Sequence, residues 1–504
     1  MAEGKRFSFS LPKSISFRVF SLFIILSLVP LMIFGWFALS RITDVGTRAV
    51  EDSKAALNEK STEAIELRTF EIAEQIADFL REREDDLRAL ALLPRDVEVY
   101  ENFARTRVRE VWRRNPNTGE EERVDLPIYA EVVYVDAAGW EQVRVIDGIV
   151  LDENPPRLRN VSVRQNTNFK AETYFEEAKK LTGTRQGEIF VSHVIGRYRT
   201  MDDVLMQDDV LTRGPNLREA KGKPFQGIVR FAMPVFKNDG TFDGVIGLAL
   251  NHTHLMEFVA HIVPTEKRYS LIPDPEAGNE AYIVDNEGWF IANNQHWFIR
   301  GVDKNGNPFP AASASNHLKD PFLSHPVNLV ALKDVLAEFP QFTEIVKIPN
   351  RVAQGEPGSI EYFWEGKNLF VAYAPIRYFN GGYTYPEGFG WVGVGASVEE
   401  FYKKATETAA EIDRTTRNTR LITIIFIAVF GLIAIGLAYQ FSQGITRPIV
   451  RLTELADKIS MGDLELKIDV QSEDEIGALA DSISRLATSL QAAMKRLTRA
   501  RAKR

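Results

Sequence analysis

His252 and His254 stand one residue apart, with Glu257 and His261 beyond them, a spacing that invites a metal-ligand reading. A zinc site needs further ligands at a fixed spacing, and none follows, so these read as core or surface groups and no metal is expected. Asp202, Asp203, Asp208 and Asp209 carry enough charge for calcium but lack the loop pattern of a calcium site, and read as a solvated acidic loop. The chain has no cysteine, which removes disulfides, thiolate metal sites and a cysteine nucleophile. It has no G-x-x-x-x-G-K phosphate loop and no nucleophile elbow. No catalytic residue, no enzyme activity and no cofactor are therefore expected. What remains is binding chemistry. Tyr134, Arg144, Tyr174, His193, Tyr198 and Arg230 fall on or beside elements that would line a cleft between a sheet and its capping loops. The forked donors of Arg144 and Arg230 suit an anionic or carboxylate small molecule. Half of these side chains are expected to point elsewhere, because strand neighbours alternate faces.

The elements that would hold these residues form an internal repeat. Tyr134-Val135-Asp136-Ala137-Ala138-Gly139-Trp140 is echoed by Ile283-Val284-Asp285-Asn286-Glu287-Gly288-Trp289, each a strand, a turn led by Asp and closed by Gly, and a second strand. Ala232-Met233-Pro234-Val235 is echoed by Tyr373-Ala374-Pro375-Ile376, and Gly244-Val245-Ile246-Gly247-Leu248 by Gly390-Trp391-Val392-Gly393-Val394. Each copy closes on a helical pattern, His254 to Phe258 in the first and Val398 to Tyr402 in the second. The same order in both copies predicts two small antiparallel sheets, each crossed by a helix such as Ala171 to Leu181 or Leu329 to Phe339. Ahead of them, Ile65, Phe70, Ile72, Ile76, Phe79, Leu80, Leu87 and Leu90 recur near the 3.6 period and predict a long stalk helix ending before Pro94.

In this arrangement, with Glu141-Gln142-Val143-Arg144-Val145, Tyr174-Phe175-Glu176-Glu177-Ala178 and Gly187-Glu188-Ile189-Phe190-Val191-Ser192, residues 42–405 resemble a double Cache domain. The resemblance implies two PAS-like α/β modules strung on one N-terminal helix, the first farther from the membrane and usually the ligand-holding one. Amino-acid-binding members carry a Tyr…Arg-x-Trp-Tyr-x-Asp pattern. Arg109-Glu110-Val111-Trp112-Arg113 is off in spacing and lacks the following Tyr and Asp, so the ligand class stays open.

A net charge of −8 argues against nucleic acid as a partner. Val19 to Ser40 and Leu421 to Thr446 contain no charged residue, and each is long enough to cross a bilayer. The first run is long for a signal peptide and is succeeded by a poor cleavage pattern, so it reads as a span. Lys and Arg flank both spans, so orientation rests on the segment C-terminal to the second.

In that segment Pro448 opens a helical pattern through Ile449, Leu452, Ala456 and Ile459, and Gly462 breaks it. Leu464, Leu466 and Ile468 alternate as a connector. From Asp474-Glu475-Ile476-Gly477 a second helix carries Ile476, Leu479, Ile483, Leu486, Leu490, Ala493 and Leu497 as a coiled-coil seam. One short helix pair cannot bury such a seam, which implies a parallel four-helix bundle from two chains. Residues 444–497 resemble the HAMP domain, which places both termini in the cytoplasm. Pro448, Gly462, Glu475, Ile476, Ile483 and Leu486 are the expected relay residues.

The expected organisation is a tail at 1–18, spans at 19–40 and 421–443, a stalk helix at 41–93, and a distal module at 94–258. A proximal module occupies 259–405, then a juxtamembrane helix 406–420, HAMP 444–497 and a basic tail 498–504. The fold class is α+β outside the membrane with a helical relay inside. The function implied is a sensory receptor in the cell membrane, homodimeric, that binds a small ligand outside and signals to a cytoplasmic kinase or other signalling protein. After Leu497 the sequence shows no phosphoacceptor helix, ATP site or methyl-accepting coiled coil. Either a separate chain docks on the bundle or the receptor is a shortened one. The alternative is a membrane-anchored binding or scaffold protein with no signalling output.

Overall fold

Apolar residues at three- and four-residue steps give the first helix its buried stripe. In the computed structural model α1 (Ile15–Ala91) buries Ile65, Ile72, Ile76, Phe79, Leu80, Leu87 and Leu90, each such side chain contributing about 1.5–3 kcal/mol relative to exposure. The structure describes residues 15–114, 121–147, 149–150, 158–181, 187–198, 225–262, 280–311, 326–336, 340–364, 366–470 and 472–501. The acidic loop at 202–209 and most of the N-terminal tail lie outside these. The chain divides into two units, Ala56–Ala405 and a second made of Met1–Ala55 with Thr406–Arg504.

In the larger unit α2 (Val97–Thr106) precedes a hairpin of β1 (Val108–Arg114) and β2 (Glu121–Pro127). A seven-stranded antiparallel sheet is built from β3 (Tyr129–Asp136), β4 (Glu141–Ile146), β5 (Ile149–Val150), β6 (Phe190–Val191), β7 (Ile195–Tyr198), β8 (Phe225–Phe236) and β9 (Phe242–Asn251). Its order is β5-β4-β3-β9-β8-β6, with β7 also on β8. A five-stranded antiparallel sheet comes next, from β10 (Glu280–Asp285), β11 (Phe290–Asn293), β12 (Gly358–Trp364), β13 (Lys367–Ile376) and β14 (Gly390–Ser397), in the order β11-β10-β14-β13-β12.

The repeat holds at the level of register. Asp136 faces Gly244 and Val235 faces Gly244 in the first sheet. Asp285 faces Gly390 and Ile376 faces Gly390 in the second. Pro234 and Pro375 each lie past the end of the neighbouring strand on one side, where a missing N–H costs no ladder bond. One apolar core joins α1 to the facing sides of both sheets, through Val132 and Ile246 in the first and Ile283 and Val394 in the second. Separate clusters cover the opposite sides, Val133, Tyr174 and Phe175 on the first sheet and Trp297, Leu329 and Trp391 on the second.

The crossing helices are shorter than the sequence pattern predicts. The first is α3 (Tyr174–Lys179). In the second module a 3-10 turn, Ala331–Val335, stands at the expected position, opened by the Asn328 side chain accepting from the Ala331 N–H at 2.9 Å. Asn328 lies on an isolated bridge to Trp289, so tertiary pairing overrides the helical pattern there.

In the smaller unit, α1 and α4 (Val398–Phe441) each contain a stretch apolar and long enough to cross a membrane. Their apolar side chains are exposed, Leu26, Phe34 and Trp36 on one and Ile425 and Leu432 on the other, the condition expected of lipid-facing helices. A Cβ at Gly35 would fall 2.6 Å from Ile427 Cδ1, so the glycine sets a close helix approach. A π-helical turn, Ser442–Thr446, leads into α5 (Arg447–Ser460), and a connector leads to α6 (Glu475–Arg501).

Candidate functional site

Burial and alternation divide the six expected ligand-binding residues among three places. Arg144, Tyr174 and Arg230 come together on the α3 side of the first sheet. Glu131, on β3, is buried between the two arginines, accepting from Arg144 Nε at 2.6 Å and from Arg230 Nη2. Arg230 Nε donates to Glu172 at 2.8 Å, and its guanidinium lies 4.5 Å above the Tyr174 ring. Arg144 Nη2 donates to Asn168 at 2.7 Å, and Arg159 pairs with Glu141 at 3.2 Å. Burial pushes the Glu131 carboxyl up, but the charges of Arg230 and Arg144 outweigh it and hold the group down at about 2. Glu172, buried beside the same Arg230, is pushed up by burial. The anion expected opposite these arginines is thus supplied by the chain itself. Three buried polar atoms of the cluster, Arg230 Nη1, Glu172 Oε1 and Tyr174 Oη, have no hydrogen-bond partner among the described residues.

Tyr134 lies on the opposite face, packed with α1, because β3 alternates. Its hydroxyl donates to the Asp243 carbonyl at 3.3 Å, and Arg95 covers its ring at 4.9 Å while pairing with Asp243.

His193 and Tyr198 sit where the first module meets the second. The Tyr198 hydroxyl donates to the carbonyls of Ile299 and, at 3.2 Å, Trp297, and its ring packs on Gly301. His193 lies 3.6 Å from both Asp285 and Glu287, against the Tyr383 ring. It borders a cavity of about 430 Å³ that is also lined by Arg164, Thr173, Glu177, Asn286 and Arg300. Burial lowers the His193 imidazole, yet the neighbouring Asp285 and Glu287 raise it overall.

The histidines first considered for metal do not converge. His252 Nε2 meets the Ile291 carbonyl at 2.5 Å and His254 Nε2 meets the Pro127 carbonyl at 3.0 Å, while His261 pairs with Glu257 at 3.1 Å. Burial holds His252 and His254 down at about 4, so both are neutral core groups. Among the described residues, His193, Asp285 and Glu287 are a group whose donor atoms lie within 4.8 Å of one another. Sequence reasoning missed Glu131, Glu172, Arg159, Asp285, Glu287 and Arg300 as site residues. The available signal was the repeat: Glu287 replaces Ala138 of the first copy's turn.

The relay residues are placed by local chemistry. Pro448 is in the first turn of α5. Gly462 comes after α5 with φ +99, its N–H donating to Ile459 at 3.1 Å. Asp474 caps α6 by accepting from the Ile476 and Gly477 N–H groups at 2.9 and 3.3 Å. A Cβ at Gly477 would fall 1.8 Å from the Ser472 carbonyl, which explains glycine in Asp474-Glu475-Ile476-Gly477. Glu475 is exposed in the first turn of α6. Within one chain Leu452, Ile459, Ala480 and Ala487 are buried, Ile476 and Ile483 are half-buried, and Leu479, Leu486, Leu490 and Leu497 are exposed.

Residues 441–492 match the HAMP domain family model, and the chain carries a HAMP domain there. A sensory transducer protein of Acetivibrio thermocellus is 36% identical over 77 residues, covering 15% of this chain and 14% of that protein. Sensor protein SrrB of Staphylococcus aureus is 34% identical over 80 residues, covering 16% of this chain and 14% of that one. The matched segment is thus about a seventh of the length of these relatives. Among solved structures, the extracellular domain of histidine kinase vpHK1S-Z8 is similar at 14% identity, with a TM-score of 0.35, covering 74% of this chain and 98% of that one.

Proposed function

We propose that this chain is a transmembrane sensory receptor rather than an enzyme: a small ligand bound in the two-module unit biases the HAMP domain, which passes the signal to a cytoplasmic partner. The observation that carries this reading is the uninterrupted chain path from sensor sheet to relay. β14, central in the second sheet, runs straight into α4, and α4 passes through the π turn into the HAMP helices. A change in sheet packing therefore has a continuous stretch of chain through which to reach the relay.

The reading places residues 41–420 outside the cytoplasmic membrane and HAMP within the cell. It assigns the ligand to the first module, with entry by the cavity beside His193, where Arg164 and Arg300 supply positive charge. Arg144, Tyr174 and Arg230 position that module's sheet against α3, and Tyr134 and Tyr198 fix its contacts with α1 and the second module. The exposed leucines of α6 meet their counterparts in a second copy, completing a parallel four-helix bundle. To move a two-state relay from 1:99 to 99:1, the ligand must distinguish the states by about 5.5 kcal/mol.

The test uses the full chain in nanodiscs. The protein has no cysteine, so a single Leu486→Cys reports on bundle packing without interference. A metabolite panel is screened by thermal unfolding and by the rate of disulfide cross-linking at that position. One metabolite that raises the melting temperature and changes the cross-linking rate is the expected result. A metabolite that stabilises the protein yet leaves cross-linking untouched, or a panel with no effect on either, rejects the receptor reading.

A further inference from the structure

The two repeated turns differ at one oxygen. In the first, Asp136 Oδ1 accepts from the Ala138 and Trp140 N–H groups at 2.9 and 3.0 Å, and Asp136 Oδ2 accepts from Gln142 at 2.7 Å. In the second, Asp285 Oδ1 likewise accepts from the Glu287 and Trp289 N–H groups at 3.0 and 2.8 Å. Asp285 Oδ2, however, is buried and has no hydrogen-bond partner among the described residues, although the residue is only 2% exposed. It faces His193 Nδ1 at 3.6 Å, itself buried and without a hydrogen bond among the described residues, and Glu287 Oε1 lies 3.6 Å from the other ring nitrogen. A buried carboxylate oxygen and a buried imidazole nitrogen left facing each other without a hydrogen bond are both costly.

We propose that His193, Asp285 and Glu287 form a binding site for a divalent transition-metal ion of the zinc class, bridging the two modules. One imidazole nitrogen and two carboxylate oxygens are the mixed donor set such ions accept, whereas calcium and magnesium favour all-oxygen shells of six or more ligands. The donor atoms lie within 4.8 Å of one another, and a tetrahedral zinc would draw them to separations of about 3.3 Å. Three protein ligands leave a coordination position for water or a ligand atom from the adjoining cavity, which Asn286 also lines, its Oδ1 buried and without a partner among the described residues. Arg300, donating to Glu287 Oε2 at 2.7 Å, orients that carboxylate and offsets one of the two negative charges. His193 belongs to the first module, and Asp285 and Glu287 to the second, so the ion fastens one to the other. The first copy has Ala138 where Glu287 stands and Gln142 on the aspartate, which restricts the site to the second turn. The site rests on this turn geometry and is independent of the chain's reading as a receptor.

The full chain, purified in detergent without a polyhistidine tag and stripped with EDTA, is titrated with ZnCl2 by calorimetry and thermal unfolding, with CaCl2 and MgCl2 in parallel. One zinc ion per chain and a raised melting temperature are expected, with no response to the other two ions. His193→Ala and Glu287→Gln each weaken binding by about tenfold or more, while His261→Ala leaves the titration unchanged. If His193→Ala does not fold, Glu287→Gln carries the comparison, because that side chain is 48% exposed. Folded wild-type protein that takes up no zinc, or uptake that survives both substitutions, overturns the site.

Discussion

Glu131 accepts from two buried guanidiniums at once, and that arrangement changes what Arg144 and Arg230 can do. A guanidinium already paired with an internal carboxylate offers an incoming anion only its remaining donors, and opening such a pair strands a buried charge, a loss of about 3–5 kcal/mol. Histidine burial has its own consequence. His252 bonds across the module junction to Ile291, and His296 Nδ1 accepts from the Phe225 N–H at 3.0 Å. Burial holds both imidazoles down at about 4, whereas in the unfolded chain they protonate near ~6.5. Between these values the unfolded state binds more protons, so their contribution to stability is complete above the unfolded pKa and is lost as pH falls towards 4. Glu141, Glu172 and His193, all raised, act in the opposite sense. A comparison with His252→Gln isolates the histidine: the fall in melting temperature from pH 6.5 to 4.5 should be shallower in the variant. An identical slope would show that His252 is not buried neutral.

At the scale of elements, each sheet depends on a glycine early in its last long repeated strand. Gly390 has φ +139, and a Cβ there would fall 2.1 Å from the Val284 carbonyl; Gly244 has φ +157 and the same conflict with Val135. Gly366 also has positive φ, but open space surrounds it. Gly390→Ala should therefore cost about 2–4 kcal/mol, and Gly366→Ala only about 1 kcal/mol. Thermal unfolding of the two variants separates steric conflict from backbone preference, and equal losses would place the whole effect in φ. The shortened second crossing element shows the same priority: a long-range bridge at Asn328 decides the local conformation.

For the whole molecule, the exposed apolar side chains are concentrated where a single chain cannot cover them. The two apolar helices are long and apolar enough to cross a membrane, and Leu479, Leu486, Leu490 and Leu497 are the exposed seam that the proposed second copy would cover. Leu486→Glu should abolish cross-linking through a Leu479→Cys reporter in nanodiscs, whereas the thermal unfolding of the two-module unit should stay unchanged. Undiminished cross-linking would remove the second copy from the proposal.

Much of this was legible in residue order. The duplicated Asp-x-x-Gly turns, the paired Pro and Gly strands, the two apolar runs and the Pro-Gly-Asp-Glu-Ile-Gly punctuation of the relay are local signals, because turn, cap and span preferences act over a few neighbouring residues. Tyr134, Arg144, Tyr174, Tyr198 and Arg230 lie on strands or a helix, yet which of them come together was not legible. Which face Tyr134 takes, and which carboxylates meet Arg144 and Arg230, depends on strand register and on residues 13 to 99 positions away. The meeting of His193 with Asp285 likewise follows from no local rule. It arises only when one module packs on another, because a side chain's partners in a buried interface are set by three-dimensional packing and not by neighbours in the chain.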